Sequence, residues 1–304
     1  MRYPFECVGV FGDGSAAVGG SALAVVHDAE GLSAEDMGRI AARLRADETV
    51  FVLPPTVETA THRVRVFHRN GESPFGGHSA VGTAVALVRS GRLPPGRVVQ
   101  QCGDTLLELD ADAERATVTA RGPQPVRVLD PGPLLEAVGL GAQQLGRGPV
   151  LAAGFGPLFH LLPVRREAVG AVRADPAAMR HHGLPDVFVF HWDEAARTAT
   201  ARLFAPGYAI DEDPACASVG LALGVWLDAH GLPDGRPSSG RLDFRIEQGA
   251  QLGRPSVLEC TLDTGADGRP LTATVGGTAA QELTGELAVP AARRGGDGYS
   301  DGAP

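Results

Sequence analysis

Three carboxylates, Asp211, Glu212 and Asp213, stand just ahead of a run of small residues in IDEDPACASVGLALGVWLDAHG, residues 210–231. A helix starting there would carry unsatisfied N–H groups and partial positive charge at its first turn. An acid in that place can cap the helix, or it can handle protons beside the carboxylate of a bound ligand. His78 occupies a matching place. It follows Gly76-Gly77 and opens HSAVGTAVALVRSG, and glycines without Cβ atoms let a ligand approach backbone N–H groups. Either residue alone reads as an ordinary cap, but two polar groups at two equivalent helix starts suggest a shared cleft built for an anion.

Other residues able to do chemistry read more plainly. Glu48, between an amphipathic helix and the strand TVFVLPP, is by spacing alone a solvated surface acid. Cys216 precedes the second helix, where a thiol pKa can fall, although a buried inert cysteine is the commoner case. The His181–His182 pair has no neighbouring carboxylate or cysteine pattern and is expected at the surface, while Trp192 and Trp226 read as core or interface. GDGSAA, residues 12–17, fits a dinucleotide fingerprint, but a strand follows where that motif needs a helix, so a loop between strands is expected.

The elements that would position these groups fall into two similar series. In the first, FECVGVFG, SALAVVHD, ETVFVLPP and HRVRVFHR read as strands from their β-branched and aromatic content. SAEDMGRIAARLRA reads as a helix capped by Ser33, with Glu35 and Asp36 in its first turn. The turn NGESPFGG leads into the apolar helix, closed by Gly91, and RVVQQC, TLLELDAD and ATVTARG add strands. After the Pro-rich PQPVRVLDPGP come a short helix, LLEAVGL, and strands around VLAAGFGPLFHLLPV, DVFVFHWD and TATARLFAP. A loop, GYAIDEDPACA, then delivers a second apolar helix closed by Gly231, and RLDFRIEQGA, SVLECTLD, LTATVGG and QELTGELAV read as closing strands. A helix apolar around most of its circumference must be surrounded, here by the strands of its own half.

Composition narrows the classes. The chain has 304 residues, 43% hydrophobic and 21% charged, with a formal charge of −9, enough for a sizeable core and wrong for a nucleic-acid surface. No run of about 18 apolar residues marks a membrane span. Cys7, Cys102, Cys216 and Cys260 are far apart with no CxxC pair, which argues against a structural zinc site. With no secretory pattern at the start, a reduced, cytoplasmic protein is expected.

Taken in order, ETVFVLPP, PFGGHSAVGTA, YAIDEDPACASVGLALGVWL, EQGAQLGRPSVL and TVGGTAAQELTGEL resemble the phenazine-biosynthesis isomerase (PhzF-like) family, within the diaminopimelate-epimerase-like fold. The resemblance runs from about Phe5 to Leu287. It implies an α/β (α+β) fold of two pseudo-symmetric halves, residues 1–122 and 123–278, each a mixed or antiparallel sheet wrapped around a central hydrophobic helix. Residues 279–289 would return to the first half, the active site would lie in the cleft between halves, and residues 290–304 would form a mobile tail. It further implies a homodimer, no cofactor and no metal.

For function, the resemblance implies a proton shift of the trans-2,3-dihydro-3-hydroxyanthranilate isomerase type in specialised metabolism. Glu48 matches the family's proton-transferring glutamate, His78 its histidine, Asp213 its aspartate and Ser218 its serine. Backbone N–H groups near Gly77, Ala217 and Ser218 would hold the substrate carboxylate, and Asp213 would pair with His78 or share a proton. Three departures stand out: Ala217 replaces a usual glycine, an Asn-Pro is missing near Ser21-Ala22, and Gly76 stands where related racemases carry their first cysteine. Two alternatives follow, an amino-acid epimerase or racemase using Glu48 with Cys216, and a non-catalytic dimeric small-molecule binder.

Overall fold

The computed structural model describes residues 1–14, 19–68, 71–73, 76–230, 240–265 and 270–289. Readings placed on residues 15–18, on Gly231 and on the tail 290–304 lie outside the described residues. The first half contains β1 (Arg2–Val10), β2 (Ser21–Val26), α1 (Ala34–Leu44), β3 (Glu48–Leu53), β4 (His62–His68) and β5 (Gly71–Ser73). There follow α2 (Gly77–Arg89), β6 (Gly96–Cys102), β7 (Thr105–Ala111) and β8 (Arg115–Arg121). The second half contains β9 (Arg127–Val128), α3 (Pro131–Ala137), β10 (Leu151–Ala153), β11 (Phe159–Pro163), α4 (Arg166–Ala171) and α5 (Pro176–His181). The chain ends with β12 (Val187–Asp193), β13 (Thr198–Ala205), β14 (Ile210–Asp213), α6 (Ala217–Ala229), β15 (Arg241–Gln248), β16 (Ser256–Thr264) and β17 (Pro270–Ala288).

The result is a mixed α/β fold with few helices and a closed barrel. Pairing runs β1–β2–β3–β4–β6–β7–β8–β17 and returns to β1, mostly antiparallel, with parallel steps at β2–β3 and β4–β6. α2 threads this barrel and is buried from His78 to Val88. Its small residues are a packing requirement, since a Cβ at Gly82 would lie 2.5 Å from Leu23 and 2.7 Å from Val10. The remaining strands, β9 to β13 with β15 and β16, form a sheet that joins the barrel along β17, and α6 packs against β10, β11, β16 and β17.

β17 is the seam. Residues 272–278 lie beside β8, with 272–276 also paired to β16, and residues 279–288 run along β1. The sequence suggests two closing strands here, LTATVGG and QELTGELAV; they are one continuous strand, bent at a register shift opposite Cys7 and Val8. Ser33 caps α1 as expected, in a full capping box with Asp36. The helix builds a satellite core of Met37, Ile40, Phe51 and Phe67 on the barrel's outer face.

Three other local readings need correction. Ile210–Asp213 is a short strand on β13 rather than loop. α4 and α5 were not foreseen; they are only 6 residues each and are held by burial of Ala168, Val169 and Met179. His182 does have a carboxylate neighbour, Glu136 at 3.0 Å, supplied by α3. Trp226 is fully buried, its Nε1 donating to the Pro149 carbonyl, and Trp192 is half-buried near Phe244. Among the described residues all four cysteines are free, and no helix is long and apolar enough to cross a membrane.

Candidate active site

The three acids that open β14 and α6 have three different fates. Asp211 is exposed. Glu212 forms a bidentate pair with Arg202, both bonds 2.8 Å, and Arg202 also stacks over Phe204. Asp213 turns inward, 9% exposed, and its Oδ1 accepts from the Ala215 N–H at 2.9 Å in an Asx-type turn. Burial pushes its carboxyl pKa up. The nearby His78 and the Ala215 amide oppose this, while Glu48 and Asp47 add to it. An acid so placed holds its proton more tightly than a solvated one.

Glu48 corrects its reading as a surface acid. It starts β3, but the C-terminal end of α1 and residues 209–214 from the other half build walls around it. Its side chain is 12% exposed and that of His78 10%, and Glu48 Oε2 lies 3.5 Å from His78 Nε2. Both atoms are buried, and neither has a hydrogen-bond partner among the described residues, an unmet demand that buried polar atoms rarely carry. His78 Nε2 therefore faces Glu48, and the ring is also close enough to Asp213 to act on its charge. The cleft has a volume of about 750 Å³ and includes Ser21, Asp47, Glu48, His78, Asp213 and Arg254 in its lining.

Two helix starts converge beside these groups. Gly76 precedes α2 and Cys216 precedes α6, and neither supplies a side-chain cap. The starts approach so closely that a Cβ on Gly77 would lie 3.0 Å from the Ala217 Cβ and 3.2 Å from Ser218 Oγ. Ala217 is buried and Ser218 half-buried. Of the six residues singled out in the sequence, Glu48, His78 and Asp213 line the cleft, while Gly77, Ala217 and Ser218 meet one another where the two helix starts approach. At Ser21, where the expected Asn-Pro is absent, the hydroxyl donates to the Ala215 carbonyl at 3.4 Å.

Cys216 and Gly76 separate two chemistries. Burial pushes the Cys216 thiol well above its ordinary range and Asp213 adds to the effect, against a weaker pull from the amides of Val219 and Ser218. The helix start does not activate it. A Cβ at Gly76 would fall 2.1 Å from Ser79 Oγ and 2.5 Å from Glu48 Oε2, so Glu48 occupies the room that an opposed thiol would need.

Asp47, Gln248 and Arg254 were missed by reasoning from sequence. Asp47 adjoins Glu48, and Gln248 and Arg254 lie in EQGAQLGRPSVL, which carries only a family resemblance in sequence. The available signal was a polar segment punctuated by Gly249 and Gly253, whose tight turns commit side chains to fixed directions.

The sequence profile of the PhzC-PhzF family, described as phenazine biosynthesis-like protein, matches residues 8–285. An uncharacterized isomerase of Mesorhizobium japonicum is 31% identical over 88% of this chain and 93% of its own length. A trans-2,3-dihydro-3-hydroxyanthranilate isomerase of Pseudomonas chlororaphis is 30% identical over 83% of this chain and 88% of its own. Among solved structures, a PhzF-family phenazine biosynthesis protein of Bacillus anthracis superposes with a TM-score of 0.81 at 20% identity, covering 95% of this chain and all of the other.

Proposed function

This chain belongs to the phenazine biosynthesis-like (PhzC-PhzF) family, and from that premise we propose that it is a cofactor-independent isomerase moving a proton within a small, cyclic or unsaturated carboxylate. The observation that carries the reading is the pair Glu48 Oε2 and His78 Nε2, facing each other at 3.5 Å with no other partner among the described residues. A carbon acid placed beside Glu48 loses its proton to the carboxylate, and Glu48 or its neighbours return a proton at another carbon. His78 holds the polar group that gains charge. Asp213, whose carboxyl burial pushes up, hydrogen-bonds a substrate oxygen or nitrogen, and the N–H groups at the starts of α2 and α6, near Gly77, Ala217 and Ser218, receive the carboxylate.

In the same reading the barrel around α2 and the sheet around α6 are equivalent halves. The working unit is a cytoplasmic homodimer in specialised metabolism, such as the making of an antibiotic. The relative's substrate, trans-2,3-dihydro-3-hydroxyanthranilate, is the first compound to offer. Wild-type protein in D₂O should convert substrate without added nucleotide or metal, with deuterium, where present, at the newly protonated carbon. Glu48→Gln is nearly isosteric and should keep the fold while lowering turnover by roughly two to four powers of ten. Near-wild-type turnover in the purified variant would remove Glu48 from this role.

The epimerase reading has less support. It needs Cys216 as an acid or base, and the burial that raises that thiol leaves it protonated and unopposed at Gly76.

A further inference from the structure

The segment joining β15 to β16 touches the backbone or neighbour of both carboxylates named above. At its start Gln248, 2% exposed, donates through Nε2 to the Asp213 carbonyl. The chain then reverses at Gly249, whose φ of +78° is left-handed. The N–H groups of Leu252 and Arg254 both return to the Gly249 carbonyl, each at 3.0 Å. Here only glycine fits, because a Cβ would lie 2.3 Å from the Arg254 carbonyl oxygen and 2.8 Å from that of Pro214, the residue after Asp213. One end of this turn is therefore seated on the Asp213-Pro214 backbone.

Its other end reaches the opposite wall. Arg254 donates Nη1 to Asp47 Oδ1 at 3.1 Å and Nη2 to Asp47 Oδ2 at 2.6 Å, a bidentate pair linking residues 207 apart in sequence. Asp47 is itself tied to β2. Its N–H donates to the Ala22 carbonyl at 3.0 Å and its Oδ2 accepts from the Ala22 N–H at 2.8 Å. The next residue is Glu48, so the peptide unit that enters β3 has few remaining freedoms. Beyond Arg254, the Val257 N–H bonds the Phe11 carbonyl and Gly12 bridges to Ser256, which anchors the segment to the first hairpin as well.

We propose that Gln248 and Arg254 are positioning residues, and that residues 248–254 set the separation of Glu48 and Asp213 across the cleft. The proposal rests on the reading of Glu48 and Asp213 as the proton-handling pair. An ion pair this close to the surface adds little to stability, with side chains of Arg254 and Asp47 24% and 38% exposed. Its effect is geometric, because a planar guanidinium gripping both oxygens fixes the orientation of Asp47 as well as its distance. Burial works against the Asp47 charge, but Arg254, the Ala22 amide and nearby His78 hold its pKa below the usual carboxylate range, so the pair stays charged at neutral pH.

The test compares Arg254→Ala, Arg254→Lys and Asp47→Asn with wild type on trans-2,3-dihydro-3-hydroxyanthranilate. Each variant's crystal structure is also determined without ligand. A misplacement of about 1 Å costs on the order of 100-fold in rate, so Arg254→Ala should lose about 10- to 100-fold in kcat with KM within about threefold. Arg254→Lys keeps the charge but not the fork and should recover only part of the loss. Asp47→Asn keeps an acceptor for the Ala22 N–H and guards against misfolding in the arginine variants. In the crystals of the defective variants the separation of Glu48 and Asp213 should change, and the Glu48–His78 contact of 3.5 Å should lengthen with it. Wild-type kcat in folded Arg254→Ala, or an unchanged cleft in both Arg254→Ala and Asp47→Asn, overturns the proposal. If wild type itself does not turn over this compound, the substrate assignment fails, and the crystal comparison alone decides the positioning role.

Discussion

Adding one methyl group at Gly76 should silence the site while leaving most of the protein intact. Gly76 has φ −151°, extended backbone that alanine adopts freely, so the cost of Gly76→Ala is steric only. The new Cβ would fall 2.5 Å from Glu48 Oε2 and 2.1 Å from Ser79 Oγ, against ordinary contacts near 3.5 Å. The Ser79 hydroxyl must turn off its 3.0 Å bond to the Gly76 carbonyl, and Glu48 must withdraw by about 1 Å. Overpacking of this size costs about 1–3 kcal/mol of stability, and a shift of about 1 Å in the proton carrier costs about 100-fold in rate. Thermal melting should show a modest loss of Tm, while turnover measured by proton NMR in D₂O falls by about two orders of magnitude. Gly76→Cys, which restores the residue type of a two-thiol racemase, should be at least as defective. An active Gly76→Ala variant, or racemase activity gained in Gly76→Cys, would refute the claim that Glu48 occupies this space for catalysis.

Two further outcomes follow. Cys216→Thr should keep most activity and resist thiol reagents, because burial raises this thiol and threonine is itself a good residue ahead of a helix; a folded but inactive variant would return the epimerase reading to the front. Acid stability should have two separable parts, read by chemical denaturation from pH 8 down to pH 2. Burial brings His62, bonded to Gln100, from 6.5 down to about 4, so the unfolded chain binds the extra proton. Its contribution, at most about 3 kcal/mol, is present above pH 6.5 and lost as pH falls towards 4; His62→Gln should flatten that interval. Burial pushes the Glu6 carboxyl up, but hydrogen bonds from His27, Arg89 and Gln281 outweigh it and bring the pKa to about 2. That contribution is present above pH 4.5 and lost as pH falls towards 2, so Glu6→Gln should change only the lower interval.

What was legible in the sequence was whatever local pattern enforces. Ser33, Glu35 and Asp36 announce α1 because a capping box is a contact between residues three apart. Seven strands of the barrel, β1 to β4 and β6 to β8, read correctly from β-branched content, and α2 and α6 from apolar residues that leave no face for water. Glu48 shows the opposite case. Its neighbours in sequence suggest solvent, and the far wall of its cleft comes from residues 209–214, more than 160 positions away. The single β17 was read as two strands because glycines 276 and 277 look like a break. They are needed where the strand passes close to other segments: a Cβ at Gly277 would lie 2.6 Å from the Phe11 ring. Arg254 was invisible for the same reason as Glu48, since an exposed arginine reads as surface until Asp47 is brought beside it.

Ala217 shows how one such non-local contact resolves a departure from the family pattern. A side chain replacing glycine at the start of α6 should crowd the place where the two helices meet. It fits because the facing residue is Gly77: the space a Cβ there would need, 3.0 Å from the Ala217 Cβ, is left empty. The methyl group therefore closes a gap at the helix junction without entering the cleft lined by Glu48 and His78. The extra carbon costs little there because Ala217 is only 1% exposed and lies within the apolar core. Ser218, one residue further on, keeps its half-exposed position. The arrangement divides labour between neighbouring glycines: Gly76 leaves room for the carboxylate that moves the proton, and Gly77 leaves room for the opposing helix.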